Sequence, residues 1–345
     1  MKRITWLLSF LFGLAYLSAN AHADSHDFFK GKTVRIVVGN SVGGAMDDWA
    51  RFIALFLGKH IPGNPDVVVQ NMPGAASIIA ANHVYNVAKP DGLTLGLINP
   101  VIYLDQLLGA KEVKYDWRRF HWIGSPERVD QVLFMRTDAY KTLEDIRKAA
   151  EPPRCASLGR TGLGYFLPRL LEEGLGMKLN IITGYGGGGE MNLAIEKGEA
   201  HCRAGTASAY VSREPTRTWA KNGFVRALVQ SGLTRYPKLP DVPTIHELLE
   251  THKAPDATRR VAKVILASGD LGRPFVAHPG TPAERVKVLR AAFSKSLSDP
   301  DLLAEAKKRN WDIDLMAGDE LEKLAKEIMI QPPEVIERVK KMLGS

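Results

Sequence analysis

Apolar positions along this chain switch period repeatedly between that of a strand and that of a helix. The run Thr33-Val34-Arg35-Ile36-Val37-Val38 is short, β-branched and followed by a Gly-rich turn, which predicts a strand. From Met46 to Leu57 the apolar residues recur at helical spacing. The same order returns with Val67-Val68-Val69, the loop Asn71-Met72-Pro73-Gly74-Ala75-Ala76 and an Ala-rich helix through Val87; a third strand, Leu93 to Ile98, follows Pro90-Asp91-Gly92. Short loops between alternating strands and helices predict a mainly parallel sheet covered on both faces.

A second series of the same kind begins near Gln131-Val132-Leu133-Phe134. It continues through a helix Lys141 to Ala150, a strand Arg154 to Leu158, a helix Tyr165 to Leu175, a strand Leu179 to Thr183, a helix Met191 to Lys197 and a strand Val225 to Gln230. A helix starts near Ile245, and after Phe275-Val276-Ala277 the chain reads as charged amphipathic helices from Pro282. One large doubly wound domain is the alternative, but two similar series favour two α/β lobes. Gly and Pro interrupt the pattern at Gly124 to Pro126 and again at Gly269 to Arg273, where the chain is expected to cross and return. The expected division is 24–125 plus 271–345 for lobe 1 and 126–270 for lobe 2.

The N-terminus has its own grammar. Lys2 and Arg3 precede an apolar stretch from Ile4 to about Leu17 and the small-residue site Ala21-His22-Ala23. That order predicts a secretory signal over 1–23, cleaved after Ala23, because the stretch is shorter than the roughly 20 residues a bilayer core requires. The mature chain is then expected in the periplasm. Its formal charge of +8 falls to +6 as Lys2 and Arg3 leave. A basic, exported chain with dispersed Lys and Arg excludes nucleic acid as the expected partner and is compatible with a small anion. Cys155 and Cys202 are the two cysteines. Export permits a disulfide, two buried thiols are the alternative, and their spacing is a poor zinc pattern.

Three loops concentrate the candidate chemistry: Gly39 to Asp47, Asn71 to Ser77, and Gly184 to Glu190. Each follows a strand and opens a helix. Glycine lets backbone approach closely, and the first N–H groups of a helix are unpaired donors at the positive end of its dipole, a combination suited to a carboxylate or phosphate. Two literal motifs suggest enzymes instead. Gly39-Asn40-Ser41-Val42-Gly43 fits a nucleophile elbow with Ser41 as nucleophile, although it follows the first strand and no upstream loop supplies a second oxyanion donor. Gly184-x-Gly186-x-x-Gly189 fits a dinucleotide fingerprint, but a run of five glycines in six positions matches by accident and no acid ends a following strand. His246 and His252 are six apart and share no helix face, so they predict no metal site. No cofactor or metal is expected.

Taken together, VRIVV, GNSVGGAMDDWAR, GKHIPGNPDVVVQNMPGAAS, AANHVYNVAKPDGLTLG, GYGGGGEMNLAIEKGEA, LPDVPTIHELL and GRPFVAHPGTPAERVKVLRAAF resemble the receptors of tripartite tricarboxylate transporters, also called Bug proteins. The likeness covers nearly the whole mature chain. It implies a two-lobed type II periplasmic binding protein whose cleft closes on a small organic acid, a monomer that makes and breaks no bond and serves membrane transporter subunits. Carried over position by position, it implies ligand contacts from Ser41, Gly43, Gly44, Ala45 and Asp47 in the first loop and from Asn71, Pro73, Gly74 and Ala75 in the second. In the second lobe it implies Arg160, Thr161 and Gly162, with Tyr185, Gly186 and Gly187. Arg160 is the sharper of these, since a guanidinium holds a carboxylate through two parallel hydrogen bonds. Gly39-Asn40 replaces the family's usual Pro and aromatic, and Gly198-Glu199-Ala200-His201 puts a histidine where an acid is common. A neutral structural role is expected for His201. A hydrolase using Ser41 and a ligand-dependent sensor partner are the competing functions.

Overall fold

Residues 28–159 and 162–343 are described by a computed structural model. In chain order its strands are β1 (Thr33–Val38), β2 (Asp66–Asn71), β3 (Thr94–Leu97), β4 (His121–Ser125), β5 (Gln131–Arg136), β6 (Arg154–Ser157), β7 (Asn180–Thr183), β8 (Cys202–Thr206), β9 (Val225–Gln230), β10 (Phe275–Ala277) and β11 (Met316–Ala317). They form a six-stranded sheet in the order β11-β4-β10-β3-β1-β2 and a five-stranded sheet in the order β7-β6-β8-β5-β9. The expected leader, residues 1–23, lies outside the described residues.

In the first sheet β2, β1 and β3 are parallel neighbours, and β10 enters antiparallel between β3 and β4. Strand β4 therefore points with β1, β2 and β3, while β10 and β11 run against them. In the second sheet β6, β7, β8 and β9 share one direction and β5 is reversed. Both sheets are thus α/β sheets in which most strands point one way, yet insertion of the reversed strands makes many neighbouring pairs antiparallel.

Burial follows the apolar pattern. In β1, Val34, Ile36 and Val38 face a core built with Trp49, Phe52, Ile53 and Leu57 of the helix Ala45–Leu57 and with Leu289 and Phe293 of the helix Ala283–Leu297. Val37 is buried on the opposite side of β1, so that strand is covered on both faces. The second core joins Val132 and Phe134 of β5, Ala156 of β6, and Met191, Ala194 and Ile195 of the helix Gly188–Lys197. Capping boxes start two helices, Thr142 with Asp145 and Thr244 with Glu247.

Of the described residues, one compact unit contains 28–102, Ala110–Pro126 and Arg273–Lys323; the other contains Tyr103–Gly109, Glu127–Gly272 and 324–343. The C-terminal segment departs from the expected division, in which 271–345 lay wholly in lobe 1. The helix Pro333–Leu343 buries Val335 and Val339, packs against the helix Asp256–Leu271, and directs Arg338 Nη2 to Thr258 Oγ1 at 2.8 Å. Its apolar stripe is covered within the second unit. Cys155 and Cys202 are register partners on the parallel pair β6 and β8, with Cα atoms 4.5 Å apart, and are joined as a disulfide.

Candidate functional site

Strands β1 and β2 end side by side, Val38 opposite Asn71, and Leu97 of β3 lies opposite Val38 on the other side. The loops that leave β1 and β2 therefore adjoin at the carboxyl edge of the first sheet, where ligands bind in open α/β folds. Asp47 is the hub between them. Only 1 % exposed, its carboxylate accepts the Gly43 N–H at 2.9 Å, Arg51 Nε at 3.0 Å and Asn71 Nδ2 at 2.9 Å. Asn71 Nδ2 also donates to the Asn40 carbonyl at 3.0 Å, and Arg51 Nη2 donates to Asn71 Oδ1 at 3.1 Å. Burial pushes the Asp47 carboxyl up, but hydrogen bonds from Arg51, Gly43 and Asn71 outweigh it and leave the pKa below 3.8.

The network assigns different work to the expected residues. Asp47 and Asn71 hold the loops rather than present free side chains. Gly43, with φ +81, spends its N–H on Asp47. Ser41 and Ala45 are exposed and Gly44 is the N-cap of the helix Ala45–Leu57. The first intrahelical bond runs from the Asp48 N–H to the Gly44 carbonyl, which leaves the N–H groups of Ala45, Met46 and Asp47 without an acceptor in the helix. Among the described residues no histidine is hydrogen-bonded to Ser41, and Ser41 is not among the residues with positive φ, unlike the strained serine of a nucleophile elbow.

The second loop carries an unusual backbone. Gly74, Ala75, Ala76 and Ser77 all have positive φ, at 135°, 43°, 51° and 92°. Three consecutive non-glycine residues there cost on the order of 1–3 kcal/mol each and persist only where the surroundings fix them. Buried Ser77 supplies the fixing: its hydroxyl donates to the Gly39 carbonyl at 3.0 Å, tying the second loop to the first. Pro73 and Ala75 stay exposed beside half-buried Gly74.

At the carboxyl edge of the second sheet the ends of β6 and β7 are likewise paired, Ser157 opposite Thr183, and the Gly184 N–H donates to the Leu158 carbonyl at 3.3 Å. Gly162 is the N-cap of the helix Leu163–Leu175. A cavity of about 580 Å³ opens there, lined in part by Ser157, Gly159, Gly162, Gln131 and Ala204. Arg160 and Thr161 lie outside the described residues. Half-buried Tyr185 packs against the second core, Gly186 donates its N–H to Glu190 Oε2 at 2.7 Å, and Gly187 is the N-cap of the helix Gly188–Lys197. That helix starts three residues before the expected Met191, so the glycine run supplies its first turn.

Two more residues complete the picture. His201 sits before β8, at the amino edge of the sheet, where Arg154 Nη2 lies 3.0 Å from Nε2 and the Arg154 N–H 3.3 Å from Nδ1. Burial and then the positive charges of Arg154 and Arg136 lower its pKa, which fits a neutral structural histidine away from the loops. Arg203 was not anticipated. It stands half-buried on β8 in the otherwise small-residue run Cys202-Arg203-Ala204-Gly205-Thr206, and that lone charge in a partly buried strand was the available signal. Burial lowers its pKa to about 10.

Residues 50–340 match the family model described as Tripartite tricarboxylate transporter family receptor. The chain belongs to this family. It is also similar, at 26 % identity over 86 % of this chain and 82 % of the relative, to a UPF0065 protein from the tcbD–tcbE intergenic region of Pseudomonas sp. (strain P51). Among solved structures, a TctC solute binding protein from Polaromonas shares the fold with a TM-score of 0.70 at 21 % identity, over 91 % of this chain and 98 % of that one. MatC from Rhodopseudomonas palustris, solved with bound malate, gives a TM-score of 0.53 at 22 % identity, over 91 % of this chain and 100 % of that one. The two solved structures share the fold of this chain, and no helix among its described residues is long and apolar enough to cross a membrane.

Proposed function

We propose that this receptor captures a small carboxylate-bearing organic acid at the carboxyl edges of its sheets and delivers it to the membrane subunits of a tripartite tricarboxylate-type transporter, after export to the periplasm and cleavage behind Ala23. The observation that carries the reading is the Asp47 network. It fixes two small-residue loops side by side while Arg51 neutralises the only buried acid in them, so an incoming anion meets helix-start N–H groups and is not repelled. The N–H groups of Ala45 and Met46, with the backbone around Gly74 and Ala75, hold one carboxylate; Ser41, Gly44 and Pro73 shape the rim, and Gly43, Asp47 and Asn71 keep the loops in place. In the second unit the loops of Arg160, Thr161 and Gly162 and of Tyr185, Gly186 and Gly187 are the further ligand contacts that the family resemblance implies. Family membership and the malate bound to MatC support an acid of this chemistry.

Thermal unfolding of the mature chain, first freed of carried-over ligand by unfolding and refolding, tests this against a panel of mono-, di- and tricarboxylates. A true ligand at a hundredfold excess over Kd stabilises the folded state by about 2.7 kcal/mol. A panel in which no acid raises the midpoint would sink the reading. Uptake by membrane vesicles containing the transporter subunits should, in turn, require added receptor.

A further inference from the structure

Away from the ligand loops, the second unit carries a recess of about 400 Å³ whose lining combines an apolar floor with surplus positive charge. Met177 and Leu228 form the floor, 5 % and 6 % exposed, and half-buried Leu143 and Leu248 stand beside them. Three cations line the recess, Lys141, Arg147 and Arg226, against one acid, Glu144. That acid is already engaged, with its oxygens 3.1 Å from Arg147 Nε and 3.1 Å from Lys148 Nζ. Among the described residues the side chains of Lys141, Arg226 and His252, all exposed, make no hydrogen bond or ion pair.

These three come from separate elements. Lys141 precedes the helix Leu143–Lys148, Arg226 is in β9, and His252 is the C-cap of the helix Ile245–Thr251. The end of β5 and the start of β9 are register partners, Arg136 opposite Val225, so the recess lies towards the amino edge of the second sheet. The loops after β6 and β7 leave from the opposite edge.

The fold does not need these charges where they stand. Exposed and unpaired, they contribute little to stability, yet rim charges of one sign steer an oppositely charged partner and set its register. The sunken floor narrows the choice of partner. A flat bilayer surface presents charge without entering a recess, and a free inorganic anion leaves the apolar floor in water. An acidic chain segment carrying an apolar side chain satisfies rim and floor together.

We propose that this recess docks an acidic segment of a partner protein, with an apolar side chain seated on Met177 and Leu228 and carboxylates against Lys141 and Arg226. The inference is independent of the acid-binding loops.

Calorimetric titration of the mature chain with a blocked pentapeptide, leucine at its centre and two glutamates on either side, tests it at low ionic strength. Wild type should bind with a Kd below about 1 mM, the range of a small transient contact. R226E should weaken this about tenfold or more and K141Q about threefold, because the first sets like charges against one another and the second removes one attraction. K89E makes the same change of net charge as R226E at an exposed position of the first unit and should bind as wild type does. Serine in place of the peptide's leucine should cost about fivefold or more. All three variants should melt with wild type, since the replaced side chains are exposed. No binding by wild type, equal losses in R226E and K89E, or indifference to the serine peptide overturns the proposal. Binding to phosphatidylglycerol vesicles with none to the peptide assigns the recess to a membrane and overturns it too. Organic acids titrated into the same proteins report on the receptor reading separately, and R226E should keep the wild-type acid affinity.

Discussion

Ser77 packs directly on the backbone of Gly39. A Cβ at Gly39 would fall 2.5 Å from Ser77 Cβ and 2.3 Å from its Oγ, and the Ser77 hydroxyl donates to the Gly39 carbonyl. Glycine is therefore required where the chain departs from the family's usual proline, because the second loop closes down over it. Gly39→Ala should push the loops apart, lower the unfolding midpoint by several degrees and weaken acid binding about tenfold. Equal melting and equal affinity in the two proteins would show that Ser77 can yield at no cost.

Gly74 calls for a different argument, since backbone conformation rather than space decides it. Its φ of 135° and ψ of 146° lie in a region reserved for glycine, whereas the atom a Cβ would meet is the mobile end of exposed Ile79. Gly74→Val should shift the second loop at a cost of about 1–3 kcal/mol and abolish detectable acid binding, while far-UV dichroism stays that of wild type. Gly74→Ala should be intermediate. Wild-type affinity in the valine variant would remove this loop from the site.

Asp47 offers a test through pH. Its folded pKa is depressed below 3.8, so its contribution to stability is present above that value and is lost as pH falls through the lower folded pKa. The loss is confined to the acid limb. Asp47→Asn must turn an amide N–H₂ toward either the Gly43 N–H or the Asn71 amide, both donors, at a cost of about 1.5–3 kcal/mol. The variant should be destabilised at pH 7, flatter than wild type below pH 4, and weaker in binding. Urea unfolding at both pH values measures this, and an unchanged pH 7 stability would deny Asp47 its role as hub.

Much of the fold is legible in the amino-acid sequence. Strand β1, the helix after it and β9 fall where their apolar periods place them, because local pattern and burial agree there. What eludes the pattern is non-local. Nothing in Phe275-Val276-Ala277 says that it enters between β3 and β4 in reverse, and nothing in Pro333–Leu343 says which unit its apolar stripe will cover. Those outcomes depend on which surface is left uncovered once other elements have packed.

The site is half legible for a similar reason. Glycine-rich loops after strands advertise where backbone is exposed, so the two loops of the first unit stand out. The role of Arg51 does not, since an arginine on a helix face reads as solvated surface until Asp47 and Asn71 are found within its reach. Asp47 reads as a loop acid whose depth of burial is hidden, and the left-handed run through Ala75, Ala76 and Ser77 has no marker beyond small side chains. His201, conspicuous in sequence, belongs to the opposite edge of the sheet.

Asp270 provides the strongest expected dependence on pH. It is 2 % exposed and its carboxyl is pushed up to about 7, by burial first and by the neighbouring Asp130 second; the Leu233 N–H at 2.9 Å, Arg128 and Lys263 only partly oppose this. A carboxyl whose folded pKa exceeds its unfolded value binds a proton on folding, so the stability it confers is full below about pH 3.8 and drains away as pH rises through about 7. The whole effect is at most about 4 kcal/mol. Asp270→Asn keeps an oxygen for the Leu233 N–H and removes the titration. The variant should therefore match wild type near pH 4 and become progressively more stable than it between pH 5 and 8, as denaturant midpoints would read. Parallel stability curves across that range would mean that Asp270 is already ionised in the folded protein, its charge balanced by Arg128 and Lys263 more fully than its burial implies.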